Sequence, residues 1–290
     1  MAKTREIKRR IKSLGKTGQI TKTMELVAAS RMKKTQSRVL ATRPYANKLR
    51  EILDAVDLEN YADRFPLLRA HEEVRRVGVL VITSNRGLCG AFNGNVIRAA
   101  RDMMRELDGA GVETELHVVG KKGIANFRYR GYAIESSRVD VGDKPTPAQS
   151  AEIARLFMER FLDGRIDEFR MVYASYQSIA SHPPVMETVL PLPVERSGGE
   201  EKAPRAEFLL EPSPRAILES LLPRIVEMRV FKALLESAAG EQAARRIAMK
   251  NATDNANELI RMLTRQFNRA RQAQITNEIA EIVGGADALV

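Results

Sequence analysis

The last 75 or so residues, from Arg215 to about Ala288, constrain the chain most. They read Arg215-Ala-Ile-Leu-Glu-Ser-Leu-Leu, run on through Glu241-Gln-Ala-Ala-Arg-Arg, and close with Ile275-Thr-Asn-Glu-Ile-Ala-Glu-Ile-Val-Gly-Gly-Ala. Helix formers fill the segment almost throughout, and a helix of that length reaches roughly 110 Å at the usual rise per residue. No domain built from 290 residues can bury such a rod along its whole length. The segment therefore needs a partner helix, a cavity in another protein, or both.

A partner is present at the other end of the chain. Residues 3–57 predict one long helix whose apolar residues recur at steps of three and four: Ile7, Ile11, Leu14, then Ile20, Met24, Val27, and later Ala46, Leu49, Leu53 and Val56. That spacing is the narrow seam of a two-stranded coiled coil rather than a broad amphipathic face. Gly15, Gly18 and Pro44 weaken the helix locally, and Pro44 is expected to bend it. The last segment carries a matching seam at Ala252, Ala256, Leu259, Leu263, Phe267 and Ala270. The two segments are expected to pair antiparallel. The longer C-terminal one should then project past the start of the first.

Between them the pattern changes. Val77-Gly-Val-Leu-Val-Ile-Thr is a continuous apolar run, as in a strand buried on both faces. A Gly-rich turn, Ser84-Asn-Arg-Gly-Leu-Cys-Gly-Ala, leads into a helix over about 92–108. Strands follow at Leu116-His-Val-Val, from Tyr132 to Val139, and at Phe169-Arg-Met-Val-Tyr-Ala-Ser-Tyr, with an edge strand from Val185 to Pro193. Gly120-Lys-Lys-Gly opens a short helix, and Thr146 with Pro147 opens another that runs to about Leu162. This alternation predicts a mostly parallel sheet covered by helices. Seven of the twelve prolines lie between Pro183 and Pro214, which marks the exit from this domain; Glu207-Phe-Leu-Leu is a possible short strand there. Ser213 caps the final helix, with Pro214 at its first position and Pro223 as a kink or break. The fold class is thus α/β: a long antiparallel coiled coil of the terminal helices plus a central Rossmann-like α/β domain. The segments are 1–60, 75–195 and 213–288.

Composition narrows the function. Hydrophobic residues make up 44% and charged residues 29%, with no Trp, which suits a real core beside long exposed helices. The one cysteine, Cys89, forms no internal disulfide and suits a reducing compartment. No stretch approaches the 18 apolar residues of a bilayer span, and the charged N-terminus lacks the apolar core of a secretory signal. The net charge of +10 is carried by residues 1–57, which hold eight Lys and seven Arg against two Asp and three Glu; the rest is balanced. The first helix is therefore expected to meet an acidic partner, whether nucleic acid, a membrane surface or an acidic protein. Arg245, Arg246, Lys250, Arg261, Arg265, Arg269 and Arg271 extend the basic shaft, whereas nothing basic follows Arg271. An apolar tip on a charged rod is expected to sit in an apolar collar.

Signals for catalysis are weak. Gly15-Lys16-Thr17 lacks the earlier glycine of a P-loop, since Arg10 stands there, and it lies inside a helix. Gly87, Gly90 and Gly94 follow a strand as a dinucleotide loop does, but the spacing is wrong and no acidic residue ends the second strand. His71, His117 and His182 have no ligand spacing, and Cys89 has no base beside it. No catalytic, cofactor-binding or metal-binding residue is assigned, and no cofactor is expected.

Four blocks carry a resemblance over the whole chain: Ile20-Thr-Lys-Thr-Met-Glu-Leu-Val-Ala-Ala-Ser-Arg-Met-Lys-Lys, Arg86-Gly-Leu-Cys-Gly, Ala248-Met-Lys-Asn-Ala-Thr-Asp-Asn, and Ile275-Thr-Asn-Glu-Ile-Ala-Glu-Ile-Val-Gly-Gly-Ala. In this order they resemble the γ subunit of F-type ATP synthases. The resemblance implies a rotor, present as one copy per complex. The coiled coil would turn inside a ring of three α and three β subunits. The α/β foot, with the ε subunit, would rest on the membrane ring of c subunits. Proton flow would drive rotation, and the β subunits would perform catalysis. The resemblance further implies that Lys22, Met24, Arg31, Lys33 and Lys34 lie near an acidic lever loop of β, with Arg245 opposite Met24. Arg271, Gln272, Thr276 and Glu278 would touch the inner surface of the ring, and residues 196–212 would lie near ε and the c ring. It implies a peripheral protein on the cytoplasmic face of a bacterial plasma membrane. The cysteine pair of the photosynthetic branch is missing, so no thiol switch is expected. The reading from another class is a nucleic-acid-binding coiled-coil protein using the basic first helix on phosphates, and a third is a nucleotide-binding enzyme on the α/β domain.

Overall fold

The computed structural model describes residues 2–55, 64–71, 73–193 and 213–287. Helix α1 spans Ala2–Ala55 and helix α5 spans Pro214–Asp287. Between them lie β1 (Arg76–Ile82), α2 (Phe92–Gly109), β2 (Glu113–Val119), α3 (Lys121–Tyr129), β3 (Ser136–Arg138), α4 (Pro147–Leu162), β4 (Glu168–Ala174) and β5 (Pro184–Leu190). The chain forms two compact units: Met1–Ala29 with Arg245–Val290, and Ser30–Ala244. This division cuts both long helices, whereas the segments read from sequence follow the ends of elements. The possible strand at Glu207-Phe-Leu-Leu, the stretch 196–212, Val56 and the side chain of Leu53 lie outside what is described.

In the unit of residues 30–244 the sheet order is β3-β2-β1-β4-β5. The first four strands run parallel, and β5 closes one side antiparallel to β4. Period-two alternation sorts β1 between two cores. Val77, Val79 and Val81 face the cluster with Val96, Met103 and Met104 of α2 and Phe127 of α3. Leu80 and Ile82 face the cluster with Phe157 and Phe161 of α4 and Leu218, Leu222, Val226 and Val230 of α5. Gly78 precedes Leu80 and Ile82 on the same face and lets the α4 layer approach, since a Cβ there would meet Ile166 Cδ1 at 2.9 Å and Phe157 at 3.1 Å. Phe157 and Phe169 stack with ring centroids 3.8 Å apart. Thr146 and Gln149 form a reciprocal capping box at the start of α4.

Three local expectations differ from the structure. Of the two readings of Pro223, a kink or a break, the break does not occur, since α5 runs through it. The flanking Leu221, Leu222, Ile225 and Val226 are buried, and tertiary packing outweighs the lost hydrogen bond. The third strand covers only Ser136–Arg138 of the expected Tyr132 to Val139, because pairing to β2 extends only over His117–Val119. The seam of α1 departs at two places: Ile20 and Val27 are exposed, whereas Ile7, Ile11, Leu14 and Leu49 are covered or half-covered.

Candidate functional site

The unit of residues 1–29 and 245–290 contains the two helical arms alone. On α1 a covered or half-covered row runs through Thr4, Ile7, Ile11, Leu14, Gly18, Thr21, Glu25 and Ala28, stepping alternately by three and four, with Gly15, Met24 and Ala29 half-covered beside it. That is an unbroken heptad. On α5 the same rhythm passes through Met249, Thr253, Ala256, Ile260, Leu263, Phe267, Ala270 and Gln274. Apolarity misplaced the seam only at Ile20, Val27 and Leu259, because the heptad keeps its period there through small, polar or neighbouring residues. Gly18 and Thr21 hold it where Ile20 is exposed, and Ile260 holds it where Leu259 is exposed.

Three contacts fix the pairing as antiparallel. Thr4 Oγ1 lies 3.3 Å from Gln274 Oε1 and donates to it. Thr21 and Thr253 meet hydroxyl to hydroxyl at 2.7 Å. A Cβ on Gly18 would stand 3.7 Å from Ala256 Cβ, an ordinary contact. In this register Met24 is level with about Lys250 to Asp254. Arg245 is buried and lies one to two turns nearer the start of α5, so the expected pairing of Arg245 with Met24 is offset.

Among the described residues the last contact across the seam is at Gln274. Ile275, Ile279 and Ile282 are 47%, 56% and 72% exposed, at helical steps of four and three. Arg271, Gln272, Thr276 and Glu278 lie exposed on the same stretch. Thr276 Oγ1 donates to Gln272 O at 3.0 Å, and Gln274 Nε2 donates to Glu278 Oε1 at 2.8 Å. Lys22 is exposed and pairs with Glu25 at 3.1 Å, and Met24 is half-buried.

In the other unit, Lys33 and Lys34 are exposed on α1, whereas Arg31 is committed within the chain. Its Nη1 donates to Asp143 Oδ2, in the loop between β3 and α4. Gln242 Nε2 of α5 donates to Asp143 Oδ1 at 3.0 Å. The sequence singled out neither Asp143 nor Gln242, since a carboxylate in a loop and a glutamine in a helix carry no local signal.

A cavity lies at the carboxyl ends of β1 and β2, beside the start of α3 and one strand away from the reversal of strand order between β1 and β4 where an open α/β sheet holds a nucleotide. Here its donors are already used. The first amides of α3 are taken by protein acceptors: Lys121 N by Asn85 Oδ1 at 3.0 Å, Lys122 N by Ser84 O at 3.1 Å, and Gly123 N by Thr83 Oγ1 at 3.0 Å. Leu234, Ser237, Ala238 and Glu241 of α5 close over the remaining cavity of about 240 Å³. Arg86, Asp143 and Glu241 line it together, so the cavity presents charges of both signs and few free backbone donors. His117 is buried in β2, and burial lowers its pKa to about 4; His182 is also lowered by burial. No group of three or more His, Cys, Asp or Glu placed to hold a metal occurs among the described residues. No described helix is long and apolar enough to cross a membrane.

A family model described as ATP synthase matches residues 3–289. An ATP synthase gamma chain of Gemmatimonas aurantiaca is 51% identical over 289 residues, covering 100% of this chain and 99% of that one. One from Leptospira biflexa is 43% identical over 289 residues, with both chains fully covered. Among solved structures, a chain of the Euglena gracilis mitochondrial ATP synthase rotor gives a TM-score of 0.67 at 23% identity, over 94% of this chain and 99% of that one. A chain of the Tetrahymena thermophila mitochondrial ATP synthase central stalk and c ring gives 0.60 at 24% identity, over 80% and 99%. These two are likenesses of fold.

Proposed function

This chain belongs to the family of ATP synthase gamma chains, and we propose that it is the central rotor shaft of an F-type ATP synthase. It couples proton-driven turning of a c ring to ATP synthesis in three β subunits. One copy stands in a ring of three α and three β subunits. Its α/β domain rests with ε on the c ring, at the cytoplasmic face of a bacterial plasma membrane. The chain itself is non-catalytic, and the chemistry of ATP belongs to β.

The observation that carries this reading is the exposed apolar end of α5. A helix that makes its last described seam contact at Gln274 and shows three isoleucines to solvent has apolar surface to bury elsewhere. The remaining 13 residues to Asp287 reach about 20 Å further, enough to enter a collar formed by several subunits. Arg271, Gln272, Thr276 and Glu278 would be its polar contacts with the ring. Lys22, Met24, Lys33 and Lys34 would meet the acidic lever of β as it sweeps past. Arg245 and Arg31 would act in that region through positions already held within the chain. Exposed ion pairs contribute about 0–1 kcal/mol each, weak enough to be exchanged as the shaft passes from one β to the next. Nucleic acid would use the basic arm but would leave the isoleucine tip bare.

Co-expression with α and β subunits tests the reading. The chain should co-purify in a hexameric ATPase and alter its turnover. Salt-dependent DNA binding without entry into that complex would contradict it.

A further inference from the structure

Torque passing between the α/β domain and the coiled coil must cross the place where the two helices leave the sheet. Arg31 and Gln242 sit two or three residues inside the unit of residues 30–244, one on each helix, and both hold the carboxylate of Asp143. The loop carrying Asp143 is itself anchored. Asn85 Nδ2 donates to Val139 O at 3.0 Å and to Val141 O at 2.9 Å, tying the loop to the turn after β1. The capping box of Thr146 and Gln149 fixes its other end, and Gln149 Nε2 donates to Asp140 O at 3.1 Å.

We propose that Asp143 is a torque clamp, one carboxylate that locks both shaft helices to the sheet and transmits rotation between them. The proposal rests on the rotor reading for its purpose but not for its geometry. A carboxylate only accepts hydrogen bonds, so it takes a guanidinium from α1 and an amide N–H from α5 at once. Gln242 is 1% exposed, and its Oε1 finds no partner in the structure. Its amide is thus held one way round by Asp143 alone, at the cost of a buried unpaired acceptor. Both helices continue unbroken past the clamp, so whatever holds them at this level holds them in phase. Arg31 is accordingly a positioning residue of the shaft rather than a free positive contact.

The test has two arms. In the isolated full chain, Asp143→Ala should speed amide exchange over residues 30–40 and 236–244 by about threefold or more, a local opening. Asp143→Arg combined with Arg31→Asp should restore protection. The pair is kept, and the Gln242 carboxamide turned over can offer Oε1 to the guanidinium at position 143. In the complex with α and β subunits and the membrane sector, Asp143→Ala should lower protons pumped per ATP hydrolysed by about twofold or more, and the swap should recover it. Unchanged exchange in Asp143→Ala, or a swap that restores neither reading, overturns the clamp. If the wild-type chain fails to enter the complex, the rotor reading falls, and the exchange arm still decides the clamp.

Discussion

Thr21 and Thr253 stand 2.7 Å apart, hydroxyl to hydroxyl, at one heptad position of each arm of the coiled coil. Thr21 Oγ1 also lies 3.1 Å from Gly18 O, and Thr253 Oγ1 lies 2.9 Å from Met249 O. Two hydroxyl protons serve three contacts. The pair must therefore run as a relay, one hydroxyl donating across the seam and the other donating to its own helix. A polar pair in the middle of the seam, flanked by Gly18, Ala28, Met249 and Ala256, favours one register over its neighbours one heptad away.

Replacing both residues, Thr21→Val with Thr253→Val, should leave stability within about 1 kcal/mol, since both polar partners go together. It should loosen the register. Cysteines introduced at Thr4 and Gln274 report this, because those side chains meet in the native register. Their cross-linking yield should fall in the double valine variant. An equal yield would show that the threonines do not set the register.

Acid should weaken the α/β domain through His117. The ring is 1% exposed, its Nδ1 pairs with Ser136 Oγ at 2.6 Å, and its Nε2 has no partner in the structure. Burial lowers its pKa to about 4 from the ordinary 6.5. The unfolded chain takes up a proton below the ordinary value while the folded chain refuses it. Stability is thus full above pH 6.5 and declines as pH falls towards 4, by at most about 3 kcal/mol. Urea unfolding at pH 7.5 and pH 5 should show this loss, and His117→Gln should flatten it. A wild-type curve no steeper than that of the variant would rule the histidine out.

Two glycines should respond to alanine in opposite directions. Gly120 has φ +99°, and a Cβ there would stand 2.2 Å from the backbone oxygen of Thr83. Gly120→Ala should cost about 2–4 kcal/mol. Gly94 lies exposed in α2, and an added methyl would meet nothing within 4 Å, so Gly94→Ala should stabilise by about 0.5–1 kcal/mol. Thermal melts of the two variants check both signs.

A charge placed on the tip should affect assembly and not folding. Ile279 is 56% exposed and lies beyond the last seam contact. Ile279→Asp should leave the melting temperature of the isolated chain within about 2 °C. It should weaken association with α and β subunits by about tenfold if the side chain is buried there. Unaltered association would mean that the tip is not enclosed.

The sequence made the larger architecture legible because its signals are local and repeated. The all-apolar run of β1, the Thr146-Pro147 cap and the length of the terminal segments each correspond to an observed element. The seam was legible in period and at most positions, but not at every one. Ile20, Val27 and Leu259 drew the eye, whereas the structure covers Gly18, Thr21 and Ile260, because heptad phase outranks residue size. The use of Arg31 was hidden for a different reason. Its partner Asp143 is 112 residues away in a loop, and only the fold brings the two together. The capping of the first amides of α3 was equally out of reach, since Asn85, Ser84 and Thr83 show their purpose only when α3 is seated against them.

The central claim is that this chain turns. The most direct measurement fixes a complex of α and β subunits to a surface and attaches a probe through Tyr129→Cys, a position 91% exposed on the α/β domain. On addition of ATP the account predicts unidirectional rotation of the probe, pausing at one angle for each β subunit. ATP hydrolysis by a complex containing this chain, with the probe stationary or moving at random, would contradict it.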